Sequence, residues 1–230
     1  MFRKLFKILV AYILTFNVIA LLWVIAYAFL PIPFTKLMVI EGQKKEISYA
    51  WKSLDQISDK LALAVMCSED QNFLIHHGFD LDAIMEAEKS NKEGKRLRGA
   101  STITQQVAKN VFLWPGRSWI RKAVELYFAL LIDAIWSKQR IMEVYLNVAE
   151  MGDGVFGAEA ASRIYFKKPA SKLTINESVR IAVTLPSPKR YSVLKPGSYL
   201  KKRAEWVKRQ MSYWGNKMTY DPEFLRKMIK

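Results

Sequence analysis

Residues 69–78 have the sequence EDQNFLIHHG, and they follow the apolar run LALAVMC at residues 61–67. If the helix that this run predicts continues through the stretch, Glu69, Phe73 and His76 fall at positions i, i+4 and i+7 and share one face. A carboxylate at the end of an apolar helix loses hydration, which raises its pKa toward the value that a general acid or base needs near neutral pH. On spacing alone, a helix-end glutamate in a surface ion pair is the more ordinary interpretation.

A second polar stretch, GASTITQQVAKN, covers residues 99–110. Its hydroxyl and amide side chains can hydrogen-bond a sugar or a phosphate, and Lys109 adds a positive charge. A serine- and threonine-rich helix start with a solvated face accounts for the same composition equally well.

Residues 121–125 place two cations and a carboxylate on one turn of a predicted helix. Arg121 and Glu125 are four residues apart, and Lys122 and Glu125 are three apart. An ordinary helical salt bridge of a few tenths of a kcal/mol explains this spacing. The alternative is a pair of cations that binds a diphosphate, with Glu125 orienting them.

The N-terminal segment predicts a membrane anchor. Residues 8–30 contain no charge in 23 positions, which as a helix spans roughly 35 Å against a hydrocarbon core of about 30 Å. Arg3, Lys4 and Lys7 precede the run, so we expect that end to stay in the cytoplasm while the rest of the chain crosses. A cleaved signal peptide is the alternative, but the run is longer than a signal core. We therefore predict an anchor at residues 1–35 and an exported domain at residues 36–230.

Composition limits the partners of the chain. The net charge of +15 and pI of about 9.8 favour a polyanionic partner, and an exported domain without a recognition motif argues against nucleic acid. The single cysteine, Cys67, excludes an intramolecular disulfide and is expected to be a buried apolar residue.

The apolar pattern after the anchor is mainly helical. We predict a linker at residues 35–53, then helices at residues 57–73, 120–136, 138–150 and 158–165, and one that begins in a capping box at residues 174–177. Residues 94–116 differ, since a glycine-bearing polar stretch ends in the apolar cluster VFLWP. That composition indicates a mobile lobe that touches lipid.

Taken together, the three polar stretches resemble the signature blocks of glycosyltransferase family 51, the peptidoglycan glycosyltransferases. The family patterns E-D-x-x-F-x-x-H-x-G and G-x-S-T-I-T-Q-Q-x-x-K-N are met at residues 69–78 and 99–110. The patterns R-K-x-x-E and S-K-x-x-I-x-E-x-Y-L-N are met at residues 121–125 and 137–147. Gly152, Gly157 and the run LPSP at residues 185–188 continue the match, and Lys167 replaces the glycine that the family commonly has. Similarity covers roughly residues 61–211, and the chain resembles the branch that lacks a transpeptidase domain.

This resemblance implies a fold and a reaction. The fold would be mainly α, a lysozyme-like domain of two lobes, head and jaw, behind a single N-terminal transmembrane helix. The substrate would be lipid II, whose 4-hydroxyl attacks the lipid-diphosphate-linked growing strand with inversion and releases undecaprenyl diphosphate. An inverting transfer needs no covalent intermediate. The enzyme would sit in the bacterial inner membrane with its catalytic domain in the periplasm.

The resemblance also implies residue roles. Glu69 would be the general base and Glu125 the second catalytic carboxylate, which holds the cations or helps to bind a divalent ion. The sequence requires no cofactor, although a divalent cation such as magnesium is a candidate at the diphosphate. Substrate-binding roles fall to Asp70, Phe73, His76, Ser101, Thr102, Gln105, Gln106, Lys109, Asn110, Arg121, Lys122 and Arg203. Membrane contacts fall to Phe112, Leu113, Trp114 and Trp119.

Two other classes remain as alternatives. A lysozyme-like enzyme that cleaves peptidoglycan would share the fold and an acidic residue, but it would not need cations around a diphosphate. A non-enzymatic, membrane-tethered scaffold of the cell wall would need neither. Expected partners are lipid II, the nascent glycan strand and the membrane, with other cell-wall synthases or division proteins as further candidates.

Overall fold

The computed structural model describes residues 2–92, 101–116, 118–215 and 218–221, and the side chains of residues 90–92 lie outside this description. Its helices are α1 (Phe2–Phe29), α2 (Lys36–Gly42), α3 (Asp59–Glu69), α4 (Leu81–Lys92), α5 (Ile103–Phe112), α6 (Trp119–Ile135), α7 (Lys138–Val148), α8 (Ala158–Phe166), α9 (Ile175–Ala182) and α10 (Ser198–Tyr213). Short strands are β1 (Ser48–Tyr49), β2 (Glu150–Gly152) and β3 (Val155–Phe156). The mainly helical prediction is confirmed.

Several predicted boundaries are also confirmed, because local capping chemistry determines them. The Ser137 hydroxyl accepts from the Arg140 amide and starts α7, and Thr174 with Glu177 forms the capping box that starts α9. Residues 35–53 form more than a linker, since they contain α2 and β1. Strand β1 pairs in parallel with β3, and β3 pairs antiparallel with β2, which begins at residue 150 where α7 was expected to continue.

The helix expected at residues 57–73 ends at Glu69 instead. Asp70 leaves the helical conformation with φ −161° and ψ 82°. Phe73 and His76 therefore lie in turns after the helix and not on its face. Residues 61–68 of α3 are all buried, as expected for a helix that is apolar on every side.

Helices pack in two groups around one continuous core. One group contains α3, α9 and α10, and the other contains α5, α6 and α7 together with the end of α1. The lysozyme-like arrangement of two lobes that the resemblance implied stays a prediction. Glu69 ends α3 in the first group, and α5 begins the second.

Lys167 stands where the family pattern commonly has glycine, and its backbone conformation shows why glycine is common there. It ends α8 in the left-handed conformation, with φ 57°, which glycine adopts without the steric cost of a Cβ atom. The lysine thus keeps the turn but carries strain there.

Helix α1 is long and apolar enough to span a membrane, with a mean hydropathy of 2.5, and it indicates a single-pass anchor. Its C-terminal half is docked on the second group of helices. The Trp136 indole donates to the Val24 carbonyl at 2.8 Å, and the Tyr127 hydroxyl donates to Asn17 Oδ1 at 2.7 Å. Because position 127 meets position 17 and position 136 meets position 24, α6 runs beside α1 in the same direction.

Aromatic packing strengthens this docking. Trp23 meets the edge of Phe112 at a centroid distance of 5.1 Å, and Phe112 stacks on Phe128 at 4.7 Å. Arg140 donates to the carbonyls of Tyr27 and Leu30 at the end of α1, where a cation also complements the helix dipole. The anchor is therefore a packing partner of the domain.

We predict that Trp23→Ala destabilises the full-length protein in detergent, because it removes an aromatic contact with Phe112 and Phe128. Trp23 is 41% exposed, so the loss should be about 1–2 kcal/mol, less than for a core tryptophan. Thermal unfolding should occur several degrees lower. The matched control is Tyr12→Ala, since the Tyr12 ring lies on the same helix and is 71% exposed. Equal midpoints for the two variants would contradict the docking.

Candidate active site

Glu69 lies where the two groups of helices meet. Its carboxylate accepts a hydrogen bond from Gln106 Nε2 at 3.3 Å and another from the Ser68 hydroxyl at 3.3 Å. Burial raises the pKa of Glu69, while the Gln106 hydrogen bond and the Arg203 charge oppose that rise. A carboxyl with a raised pKa is suited to accept a proton near neutral pH.

Asp70, the next residue, joins α3 to the start of α5. Its Oδ2 atom accepts from the Ile103 amide at 2.9 Å and lies 2.9 Å from His76 Nε2. Asp70 is 7% exposed, so these contacts account for much of its hydrogen-bonding capacity. Asp70 thus has a structural role, and its substrate-binding role stays a prediction.

Phe73 and His76 support the same turn. Phe73 is fully buried, so it can shape the site only through its packing, and its substrate-binding role stays a prediction. Lys138 Nζ lies 5.1 Å from the Phe73 ring centroid and donates to the His76 carbonyl at 2.6 Å. The His76 side chain is also buried, and its Nδ1 atom has no hydrogen-bond partner among the described residues.

The polar residues that open α5 are used mainly for capping. Gln105 Oε1 accepts from the Thr102 amide at 3.0 Å, and the Thr102 hydroxyl donates to the Gly78 carbonyl at 2.7 Å. Both side chains are buried and form a capping box, and their substrate-binding role stays a prediction. Ser101 is exposed and stays a candidate. Gly99, the first residue of this motif, lies outside the described residues.

Helix α5 presents Gln106, Lys109 and Asn110 at positions i, i+3 and i+4, which share one face. Gln106 and Asn110 are half-buried, while the Lys109 side chain reaches solvent. The surrounding protein removes part of the hydration of Lys109 and thereby lowers its pKa, with a further lowering by Arg121 and Lys122. The charges of Glu125 and Glu69 act in the opposite direction. Lys109 therefore lies within electrostatic reach of both carboxylates.

Glu125 organises the cations of α6. It is 3% exposed, and its two oxygens accept from Arg121 Nη1 at 2.9 Å and from Lys122 Nζ at 2.5 Å. A buried carboxylate that holds two cations side by side fixes their positions. This arrangement favours a positioning role for Glu125 over direct chemistry.

Arg203 reaches the site from α10. Its Nη2 atom donates to the Ser68 carbonyl at 2.7 Å, and its guanidinium lies 5.5 Å from the Trp206 ring centroid. The Arg203 charge lowers the pKa of Glu69. Arg203 is thus close to Glu69, and its substrate-binding role stays a prediction.

The predicted membrane contacts divide into two pairs. Phe112 and Leu113 are buried, and Phe112 packs on α1 and α6, so their predicted lipid contact is corrected. Trp114 and Trp119 are 43% and 90% exposed. Because α6 runs parallel to α1, its first turn, with Trp119, lies toward the exposed N-terminal half of α1. The cations at positions 121 and 122 lie one turn or less from that end.

Sequence reasoning gave no role to Tyr145, although it lies within the matched Y-L-N pattern. Its hydroxyl donates to Gln106 Oε1 at 3.2 Å, so it is the next member of the hydrogen-bond chain behind Glu69. The only available signal was a tyrosine within an otherwise apolar helical face. Within the described part of the chain, no three His, Cys, Asp or Glu side chains are grouped to hold a metal ion.

We predict that Glu69→Gln stabilises the fold at neutral and alkaline pH. The native pKa of Glu69 is raised, so its neutral form favours folding, and that contribution is lost as the pH rises through the native pKa. The two proteins should unfold at similar temperatures near pH 4, close to the ordinary pKa of glutamate of about 4.3. The variant should be the more stable at pH 8. Thermal unfolding across this pH range measures the difference, and a variant that is less stable at pH 8 would contradict a desolvated carboxylate.

Comparison with known proteins agrees with this geometry. Residues 36–212 match the family model described as Transglycosylase. The chain is 47% identical over 218 residues to a biosynthetic peptidoglycan transglycosylase of Pseudomonas aeruginosa, covering 92% of this chain and 94% of the relative. It is 46% identical over 221 residues to one of Pasteurella multocida, covering 93% and 88%. One of Xanthomonas campestris is 53% identical over 169 residues, covering 74% and 69%. The chain therefore belongs to the transglycosylase family, the peptidoglycan glycosyltransferases.

Proposed function

We propose that this enzyme polymerises glycan strands from lipid II, with the lipid-linked growing strand as donor and an incoming lipid II as acceptor. The observation that carries the proposal is the placement of a desolvated carboxylate and a group of cations in one electrostatically coupled site. The charges of Glu125 and Glu69 raise the pKa of Lys109 and those of Arg121 and Lys122 lower it, so these four groups all lie within electrostatic reach of Lys109. Proton removal and stabilisation of a leaving diphosphate can therefore occur together.

In the proposed reaction, Glu69 takes the proton of the acceptor 4-hydroxyl. The hydroxyl oxygen forms a bond to the donor anomeric carbon while the bond from that carbon to the diphosphate oxygen breaks. The leaving diphosphate takes the electron pair, and attack from the opposite face converts the α linkage to β. A diphosphate needs charge neutralisation more than a proton, and Lys109, Arg121 and Lys122 supply it.

The same site suits a substrate that is anchored in lipid. Trp119 and Ile120, which are 90% and 73% exposed, precede the two cations on the first turn of α6. Trp114 adds a third apolar surface. We propose that these side chains contact lipid of the inner membrane beside α1 and that the neighbouring cations bind the diphosphate of a membrane-anchored substrate. The N-terminus would then be cytoplasmic and the domain periplasmic.

Substrate-binding roles are proposed for the accessible members of the site, which are Ser101, Gln106, Lys109, Asn110, Arg121, Lys122 and Arg203. Both Glu125 oxygens are already engaged by cations. A divalent cation such as magnesium would therefore take most of its ligands from the substrate diphosphate. Polymerisation with and without a chelator tests this point. Contacts with other cell-wall synthases or division proteins remain proposals.

We predict that Glu69→Gln folds and binds lipid II but loses about two to four orders of magnitude in polymerisation rate, because an amide cannot take the proton. Glu205→Gln, at an exposed position of α10, is the control and should retain full activity, since its side chain is 64% exposed. Product length and rate on gels of labelled lipid II give the measurement. Near-normal turnover of Glu69→Gln would move the base elsewhere, with Glu125 the first candidate.

We predict that Lys109→Ala and Arg121→Ala each lower kcat even at saturating lipid II, since the cations act most strongly as charge develops on the diphosphate. A loss of about tenfold or more is expected for removal of one such charge-stabilising group. Lys195→Ala, at an exposed position outside the site, is the matched control. An increase in KM alone would show that the two cations stabilise the bound substrate and the transition state equally, which would contradict the prediction.

A further inference from the structure

Tyr145 is linked to the proposed base, Glu69, by hydrogen bonds through one side chain, that of Gln106. It is carried by α7 and is 1% exposed. Its hydroxyl donates to Gln106 Oε1 at 3.2 Å, and Gln106 Nε2 donates to Glu69 Oε2 at 3.3 Å. The three side chains come from α7, α5 and α3, so the chain of hydrogen bonds crosses both groups of helices.

The orientation of the Gln106 amide is the central feature of this chain. An ionised carboxylate only accepts hydrogen bonds, so Glu69 needs the NH₂ end of the amide and is repelled by the oxygen end. A donor on the opposite side of the amide selects that orientation, because it satisfies the oxygen. Tyr145 supplies this donor from a position that water does not reach.

The Tyr145 hydroxyl stays protonated, and so remains a hydrogen-bond donor, at the pH at which the enzyme works. Burial raises the pKa of Tyr145, and the negative charges of Glu69 and Asp70 raise it further. The hydroxyl therefore keeps its proton while Glu69 gains and loses one. The ring itself is fully packed, which fixes the hydroxyl position.

We infer that Tyr145 is a positioning residue for glycosyl transfer, which acts through the Gln106 amide to hold the Glu69 carboxylate in the orientation that accepts the proton. This inference rests on the proposed role of Glu69 as general base. Tyr145 touches no substrate in this scheme. Its contribution is to keep the amide from rotating and the carboxylate from turning away from the acceptor.

The test is Tyr145→Phe, which removes one oxygen and keeps the ring. We expect kcat to fall about tenfold, the effect of a slightly misplaced catalytic group, while the KM for lipid II stays within about twofold. Tyr165→Phe is the matched control, because the Tyr165 hydroxyl donates to the Met151 carbonyl at 3.4 Å, outside the site. Both variants are assayed at a temperature at which circular dichroism shows them folded.

The pH dependence of kcat/KM for Tyr145→Phe distinguishes a positioning role of Tyr145 from a general loss of stability. The charged groups that act on Glu69 are Asp70, Arg203 and Lys109, and none is changed by the substitution. Losing the fixed Gln106 donor should raise the pKa of Glu69, so the acidic limb of kcat/KM should move to higher pH. Tyr145→Phe should also add nothing in a Gln106→Leu background, since both substitutions break the same chain.

The outcomes are distinct. If Glu69→Gln keeps its activity, the general-base assignment fails and the inference about Tyr145 fails with it. If Glu69→Gln is inactive but Tyr145→Phe has normal kcat and an unmoved acidic limb, only the positioning role is overturned. Additive losses in the double variant would likewise overturn it.

Discussion

The carboxylate of Asp70 holds the site together. It ends α3 by turning its side chain to the Ile103 amide, the first residue of α5, and it binds His76 in the same turn. Glu69 is its immediate neighbour in the chain, and Gln106 lies on the first turns of α5. The buried Asp70 carboxylate therefore determines the distance between the Glu69 carboxylate and the Gln106 amide. Its hydrogen bonds to Ile103 and His76 fix the positions of α3 and α5 relative to each other.

Charge is distributed over the two groups of helices in a way that fits the proposed chemistry. The base sits at the end of α3, where burial raises its pKa, and the cations lie on α5 and α6. Glu125 offsets one of the three positive charges, so Lys109, Arg121 and Lys122 can stand close together before substrate arrives. The two positive charges that remain match the two negative charges of a diphosphate diester. In the proposed reaction the cations would therefore stabilise the leaving diphosphate, while Glu69 would accept the proton of the attacking hydroxyl.

Much of the site was predictable because its residues stand close together in the sequence. The group of Arg121, Lys122 and Glu125 follows from helical spacing, and the caps at Ser137 and Thr174 follow from local hydrogen bonds. The end of α3 was not predictable in this way, because Phe73 keeps the helical spacing of the apolar residues before it, whereas a tertiary bond from Asp70 stops the helix earlier. Phe112 illustrates a second limit, since an apolar side chain covered by α1 has the same sequence signature as one that faces lipid. Thr102 and Gln105 illustrate a third, because the same hydroxyl and amide groups can bind a sugar or cap a helix.

The docked anchor connects this chemistry to the membrane. Helix α1, the candidate membrane span, packs along α6, which carries Arg121 and Lys122. This packing fixes the position of the two cations relative to the anchor. The most direct test of the account is to incubate the purified full-length enzyme with lipid II alone and to measure both products. We predict a glycan polymer that a β-1,4-specific muramidase digests completely, with one undecaprenyl diphosphate released for each bond formed. Failure to polymerise lipid II, together with release of fragments from finished glycan, would contradict it.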